Sequence, residues 1–176
     1  MSRHDVVSAV SAAPLETVPA ALYRDGMARL GAAVNIVTSD GPAGRAGFTA
    51  TAVCSVTDTP ATLIVCINQL SSAFHAVKTN GVVAVNVLSS GQQPLADRFG
   101  GRTPMEERFA GATWQSGATG APFLVDAAAV FECRITGRAE VGSHHVLFCA
   151  VMAVHLSEQS TGLAYFARGY HPLTAR

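Results

Sequence analysis

The chain has 176 residues, 49% of them apolar and 14% charged, with 12 basic and 12 acidic side chains and a formal net charge of zero. Accessible-area scaling at this length removes roughly 69% of the unfolded surface on folding, so a core forms without disulfide or metal staples. With Lys78 as its one lysine and no basic run, the sequence has no electrostatic footprint for nucleic acid, and no window reaches the ~18 apolar residues of a membrane-spanning helix.

The opening MSRHDVVSAVSAAP has its apolar run cut by Asp5 and too short for a secretory core. Residues 1–16, with His4, therefore read as a disordered cytoplasmic tail, and residues 17–176 as a single domain. TVPAALYRDGMARLG, Thr17 to Gly31, predicts an amphipathic helix with a capping threonine, an early proline, and Leu22, Met27 and Leu30 at helical spacing. Ala33 to Thr38, a turn at Asp40 to Gly44, and a strand from Gly47 to Thr57 open a β-meander, and Thr62 to Ile67 adds a strand. Ser71 to Asn80 predicts a short helix stopped at Asn80-Gly81, before a strand at Val82 to Leu88 and a helix at Gln92 to Phe99. The glycine-rich Gly100 to Gly120 segment reads as a surface excursion whose one patterned piece is Pro104 to Phe109; Arg98, Arg102 and Arg108 are within reach of Glu106 and Glu107 as surface pairs, which mean little. Ala127 to Ile135 and His145 to His155 are dense in Val, Phe and Cys and should pair, and Gly162 to Leu173 closes with Tyr165, Phe166, Tyr170 and His171. Six to seven strands with two or three short helices, lacking strand-helix alternation, favour a closed or half-closed antiparallel barrel.

Cys54, Cys66, Cys133 and Cys149 lie far apart with no CxxC pair, so buried reduced thiols and no metal centre are expected. There is no GxGxxG after a strand, GxxxxGK[ST], GxSxG or HExxH. The informative stretch is Gly47 to Thr57. Alternation places Thr49, Thr51, Ser55 and Thr57 on one face, and Phe48, Ala50, Ala52, Cys54 and Val56 on the other. One reading is a half-exposed strand using threonine for β-propensity. The other is a ligand wall: Gly47, Ala50 and Ala52 let a flat ring approach the backbone while hydroxyls meet its polar edge. In Asn68-Gln-Leu-Ser-Ser-Ala-Phe74, Ser71 or Ser72 stands where a helix begins, which serves either ordinary capping or an anion such as phosphate. A ring wall followed by a phosphate bend suggests a mononucleotide, and FMN fits both. His144 and His145 start a strand after a glycine turn, so one should face a cavity.

Three runs carry a family resemblance: GFTATAVCSVTDTPATLIVCIN from Gly47 to Asn68, AVNVLSSGQQPLADRFGG from Ala84 to Gly101, and YFARGYHPL from Tyr165 to Leu173. Over residues 20 to 173 the chain resembles the split-barrel flavin reductases, the small components of two-component monooxygenases. Gly31 to Pro60 and Phe99 to Ala110 are most similar to members of that family that serve uracil degradation. The resemblance implies a mainly β, Greek-key antiparallel split barrel with short helices, forming a homodimer with FMN near the interface. It implies that Thr49, Ala50, Thr51, Ala52 and Ser55 lie along the flavin, that Asn68, Ser71 and Ser72 handle its ribityl phosphate end, and that Phe99 lies near the ring. His144, in the position of the family's Gly-Asp-His turn, and Tyr170-His171, in the aromatic tail, belong to the nicotinamide side of NADH. This chain departs from the pattern with Ser143 in place of the acidic residue and Gln69 where many relatives carry Lys or Arg. No side chain is expected to act as a nucleophile, because the cofactors carry the hydride chemistry. The implied activity is NADH-dependent FMN reduction, reduced FMN passing by diffusion to a flavin-dependent monooxygenase that opens a pyrimidine ring. A reductase serving an aromatic hydroxylase with FAD or FMN, and a flavin-binding module without turnover, are the other readings.

Overall fold

The computed structural model describes residues 16–158 and 161–174; the expected tail and His4 lie outside the described residues, apart from Glu16. The elements, in order, are α1 (Ala20–Met27), β1 (Ala32–Ala33), β2 (Asn35–Ser39), β3 (Ala46–Ala50), β4 (Val53–Asp58), β5 (Ala61–Asn68), α2 (Phe74–Asn80) and β6 (Val82–Val87). There follow α3 (Gln93–Gly100), α4 (Met105–Arg108), β7 (Trp114–Ser116), β8 (Pro122–Leu124), β9 (Ala129–Val141), β10 (His144–Leu156), β11 (Thr161–Phe166) and β12 (Gly169–Thr174). The fold is mainly β, with short helices.

Seven strands make one antiparallel sheet in the order β3-β2-β6-β9-β10-β5-β4, within which β6, β9 and β10 follow one another and β5 returns beside β10 as in a Greek key. Its two edge strands, β3 and β4, are joined by Thr51-Ala52 alone. Three residue steps reach at most about 11 Å, whereas the edges of a flat seven-stranded sheet stand about 29 Å apart at ~4.8 Å per strand. The sheet must therefore roll until its edges approach at one end. Register shifts in the β9-β10 pair at Phe148/Cys149 and Val151/Ala153 are where long strands bend to follow that curvature. No ladder joins β3 to β4 among the described residues, so the sheet is not closed into a barrel.

β6 is buried over Val82–Asn86, with Val83 and Val85 in one apolar cluster and Val82 and Ala84 in another. That two-sided burial explains a continuous apolar run in place of alternation. α2 ends as expected, its C-cap Gly81 in the left-handed region at φ 70°. The β9-β10 hairpin turns at Gly142 with φ 57°. Glu132, on β9, is fully buried, and its carboxylate meets His155 Nε2 at 2.7 Å, the Thr119 N–H at 3.0 Å and the Thr119 hydroxyl at 3.3 Å. Burial pushes this carboxyl up, but the hydrogen bonds from His155 and Thr119, with the His155 charge, outweigh it and hold the group below its ordinary value.

Four expectations are corrected. The helix starts after Pro19, which takes the N-cap position without a side-chain cap, so Thr17 does not cap it. None of its side chains is buried, and Leu22, Tyr23 and Met27, with Leu30 beyond it, remain exposed. The single strand from Gly47 to Thr57 is broken at Thr51-Ala52, where the chain leaves one edge of the sheet for the other. The Gly100 to Gly120 segment is no mere surface excursion: Arg108 is buried, and Trp114 packs on Phe99 and Phe109 at 5.6 and 5.1 Å. Finally, Cys133 and Cys149 are buried, and burial pushes their thiols up to about 12, with neighbouring charge from Glu132 on the first and from Cys133 on the second; Cys54, on the edge strand β4, is exposed.

Candidate functional site

A cleft of about 680 Å³ opens at the seam where the rolled sheet fails to close. Three walls define it. The first is the end of β3 with the Thr51-Ala52 link, where Ala50 and Ala52 leave main chain accessible to a flat ligand. The second is the bend from Asn68 to Ser72, and the third is the segment from Phe99 to Arg108. His144 lies directly across the β5-β10 ladder from Asn68, which brings it to the same cleft.

The bend is held by local bonds. Asn68 Oδ1 accepts the Leu70 N–H at 2.9 Å, and Ser71 Oγ accepts the Ala73 N–H at 3.3 Å. Ser71 thus shapes the turn ahead of α2, while the N-cap itself is Ala73 without a side-chain bond, just beyond Ser71 and Ser72, the two positions the sequence suggests. The Thr49 hydroxyl donates to Ala96 O at 2.6 Å, tying β3 to α3, so this member of the expected hydroxyl row holds the wall in place. Phe99 is buried and stacks edge-on to Phe109 at 5.1 Å. The Ser143 hydroxyl lies 3.0 Å from His144 Nδ1, which orients the imidazole in the absence of the acidic residue. His145 turns the other way, buried against Phe74 with ring centroids 4.6 Å apart. One histidine of the pair faces a cavity, as alternation requires.

Thr49, Ala50, Thr51, Ala52, Asn68, Ser71, Ser72, Phe99 and His144 all line this cleft. Ser55, Tyr170 and His171 do not. Ser55 follows the strand break and lines a separate groove of about 380 Å³ with Val53, Leu63, Val85 and Phe131. Tyr170 and His171 sit on β12, in a three-stranded sheet with β1 and β11. There Tyr170 packs on Tyr165 at 5.2 Å, and its hydroxyl is pushed up by burial and by the charge and hydrogen bond of Asp97, with Tyr165 adding to it. His171 Nε2 lies 3.0 Å from Phe166 O. Within one chain these two residues are held by α3 and their own hairpin, and neither lines the cleft that His144 lines.

Sequence reasoning missed Gly100, Gly101, Arg102, Thr103 and Arg108, all of which line the cleft. Arg108 does not pair with Glu106 or Glu107 at the surface; burial lowers its guanidinium from its ordinary value, and its N–H groups go to protein oxygens. The signal was available. Neighbours one and two apart on a helix do not face each other, so those glutamates were never positioned to partner it. Arg102 is exposed at the cleft. The hydroxyls of Ser71, Ser72 and Thr103 thus line this part of the cleft together with Arg102 and Arg108. Small residues on one wall and hydroxyl and guanidinium groups on the others fit a flat ring with a phosphate tail. No cluster of metal-ligating side chains occurs among the described residues.

A model of the flavin reductase like domain matches residues 27–174, a span that contains every wall of the cleft. The chain belongs to the flavin reductase-like family. It is 59% identical over 149 residues to an Ancylobacter novellus protein named FMN reductase (NADH) RutF, covering 85% of this chain and 82% of that one. A Haemophilus somnus 129PT protein classed as a flavin reductase superposes with a TM-score of 0.86 at 43% identity, over 89% of this chain and 100% of that one. BorF, the flavin reductase component of a bacterial two-component tryptophan halogenase, gives 0.83 at 25% identity, over 90% and 100%. Relative to this flavin reductase-like match, α1 lies almost wholly upstream, beginning at Ala20.

Proposed function

We propose that the chain is an NADH-dependent FMN reductase whose reduced FMN supplies a flavin-dependent monooxygenase of pyrimidine catabolism. The observation that carries this is the convergence of the end of β3, the Thr51-Ala52 link and the Asn68-Ser72 bend after β5 on one cleft large enough for a mononucleotide. The reductase named for the Ancylobacter novellus relative, and the two-component system named for BorF, support the activity and the partner class.

Bound FMN would supply the hydride acceptor, with NADH as donor. The chain's own residues bind and orient. Ala50 and Ala52 admit the ring to the backbone, Thr51 offers a hydroxyl to its edge, and Ser71 and Ser72 donate to the phosphate. Phe99 backs the ring side of the cleft, and His144 with its Ser143 partner stands at the nicotinamide side. Orientation and exclusion of water suffice here, because no proton has to be taken from a carbon by the protein.

The rolled sheet with its open seam is read as a split barrel within one domain of residues 17–176. A homodimer is supported by exposed Val56, Met152, Val154 and Leu156 beside the apolar groove that holds Ser55. In a dimer, Tyr170 and His171 reach the nicotinamide side from the partner's hairpin or not at all. No described helix is long and apolar enough to cross a membrane; a cytoplasmic location belongs to the same proposal.

Steady-state NADH oxidation with FMN, FAD and riboflavin tests the reading. FMN should give the highest kcat/KM, and NADPH should replace NADH poorly. Preference for FAD would instead favour a component of an aromatic hydroxylase, and no oxidation with any flavin would indicate a binding module.

A further inference from the structure

Arg108 makes the fullest set of bonds of any side chain lining the cleft. Its Nε–H donates to Thr103 O at 3.0 Å, Nη1 donates to Gly47 O at 2.8 Å and Phe99 O at 3.4 Å, and Nη2 donates to Ser72 Oγ at 3.1 Å and Gly101 O at 3.5 Å. A guanidinium has five N–H donors, and each has an acceptor within the chain. Those acceptors come from β3, from the end of α3 and the segment after it, and from the bend before α2, so one side chain ties the cleft walls together. All five are neutral oxygens. Among the described residues no carboxylate forms an ion pair with Arg108, although the side chain is only 6% exposed.

A buried cation without a counter-charge is costly unless an anion is supplied nearby. Among the described residues no carboxylate pairs with it, and the open side of this network is the cleft. Ser72 adds direction. Because its oxygen accepts from Arg108, its own hydrogen must point elsewhere, and no acceptor for it occurs among the described residues. Ser72 is exposed and lines the cleft. The result is a hydroxyl donor oriented and polarised by a buried positive charge, a stronger donor to an anion than a free serine.

We infer that Arg108 is a specificity-determining positioning residue that makes the cleft prefer a phosphorylated flavin over riboflavin, acting through the Ser72 hydroxyl and without touching the ligand. This rests on the flavin reading above. It assigns the phosphate preference to a relay whose arginine is spent on the protein, not to Arg102 at the cleft mouth.

The test is equilibrium binding of FMN and of riboflavin, followed by flavin fluorescence, to the wild-type chain and to S72A, R108Q and R108K. Wild type should prefer FMN by tenfold or more. S72A and R108Q should each weaken FMN by about tenfold to a hundredfold, the range of a charge-assisted hydrogen bond, with riboflavin moving less than about threefold. The S72A/R108Q double variant should lose little more than either alone, because both cut one chain of bonds. R108K, which keeps the charge but not the planar fork, should retain part of the preference. Parallel loss of both ligands in R108Q, or FMN binding unchanged in S72A, would overturn the relay while leaving the flavin reading intact. Ser72 is exposed, so S72A tests the hydroxyl even if R108Q does not fold, and R108K then tests the arginine behind it: FMN preference unchanged from wild type in R108K would also overturn the relay. A wild-type chain that binds neither flavin would sink the flavin reading itself.

Discussion

Ala52→Phe is expected to raise the dissociation constant for FMN about a hundredfold or more while leaving the melting temperature close to that of the wild type. Ala52 is exposed in the two-residue link between β3 and β4 and lines the cleft, so a phenyl ring there displaces ligand without entering the core. A flat aromatic system buries about 150–250 Å². At about 25 cal/mol per Å² that is an upper bound of roughly 4–6 kcal/mol, and losing half to all of it spans about 30-fold to well over a thousandfold. Titration of flavin fluorescence together with a thermal melt separates the two effects. Unchanged affinity would mean that the ring lies elsewhere.

The second large effect concerns stability and lies away from the cleft. Glu132→Ala should cost about 1–3 kcal/mol, because it leaves the donors of half-buried Thr119 without their acceptor and removes the partner of His155. The wild type should also show an acid limb. The folded Glu132 carboxyl titrates below its unfolded value, so its contribution is fully present above about pH 4–5 and is lost as pH falls through the folded value. Glu132→Gln, which cannot ionise, should make that limb shallower. Urea unfolding at neutral pH and through the acid range measures both, and a Glu132→Ala chain as stable as the wild type would contradict the assignment.

Much of the fold was legible because local chemistry and tertiary structure agree. Asn80-Gly81 stops a helix by the left-handed conformation glycine permits, and Gly142 turns a hairpin in the same way. The runs in β6, β9 and β10 are strands by composition. The break at Thr51-Ala52 was not legible, since the alternation of threonine and alanine passes through it without glycine or proline. It is imposed by the long-range need to carry the chain from one sheet edge to the other. That same event puts Thr51 and Ala52 in the cleft and sends Ser55 into another groove. Asn68, Ser71, Ser72 and His144 were readable because a strand end, a bend and a hairpin turn fix them locally. Arg108 was obscured by its acidic neighbours in sequence, and Tyr170-His171 by a sheet whose position no local pattern encodes.

The central claim is that a planar ring rests on the Thr49-Ala52 wall with its phosphate at Ser71-Ser72. A crystal of the chain soaked in FMN tests it most directly. Density for the isoalloxazine against Ala50 and Ala52, with the phosphate within hydrogen-bond distance of the Ser72 hydroxyl, is the expected result. Flavin density seated instead in the groove of Val53, Ser55 and Leu63, or a cleft filled by the chain's own side chains, would contradict it.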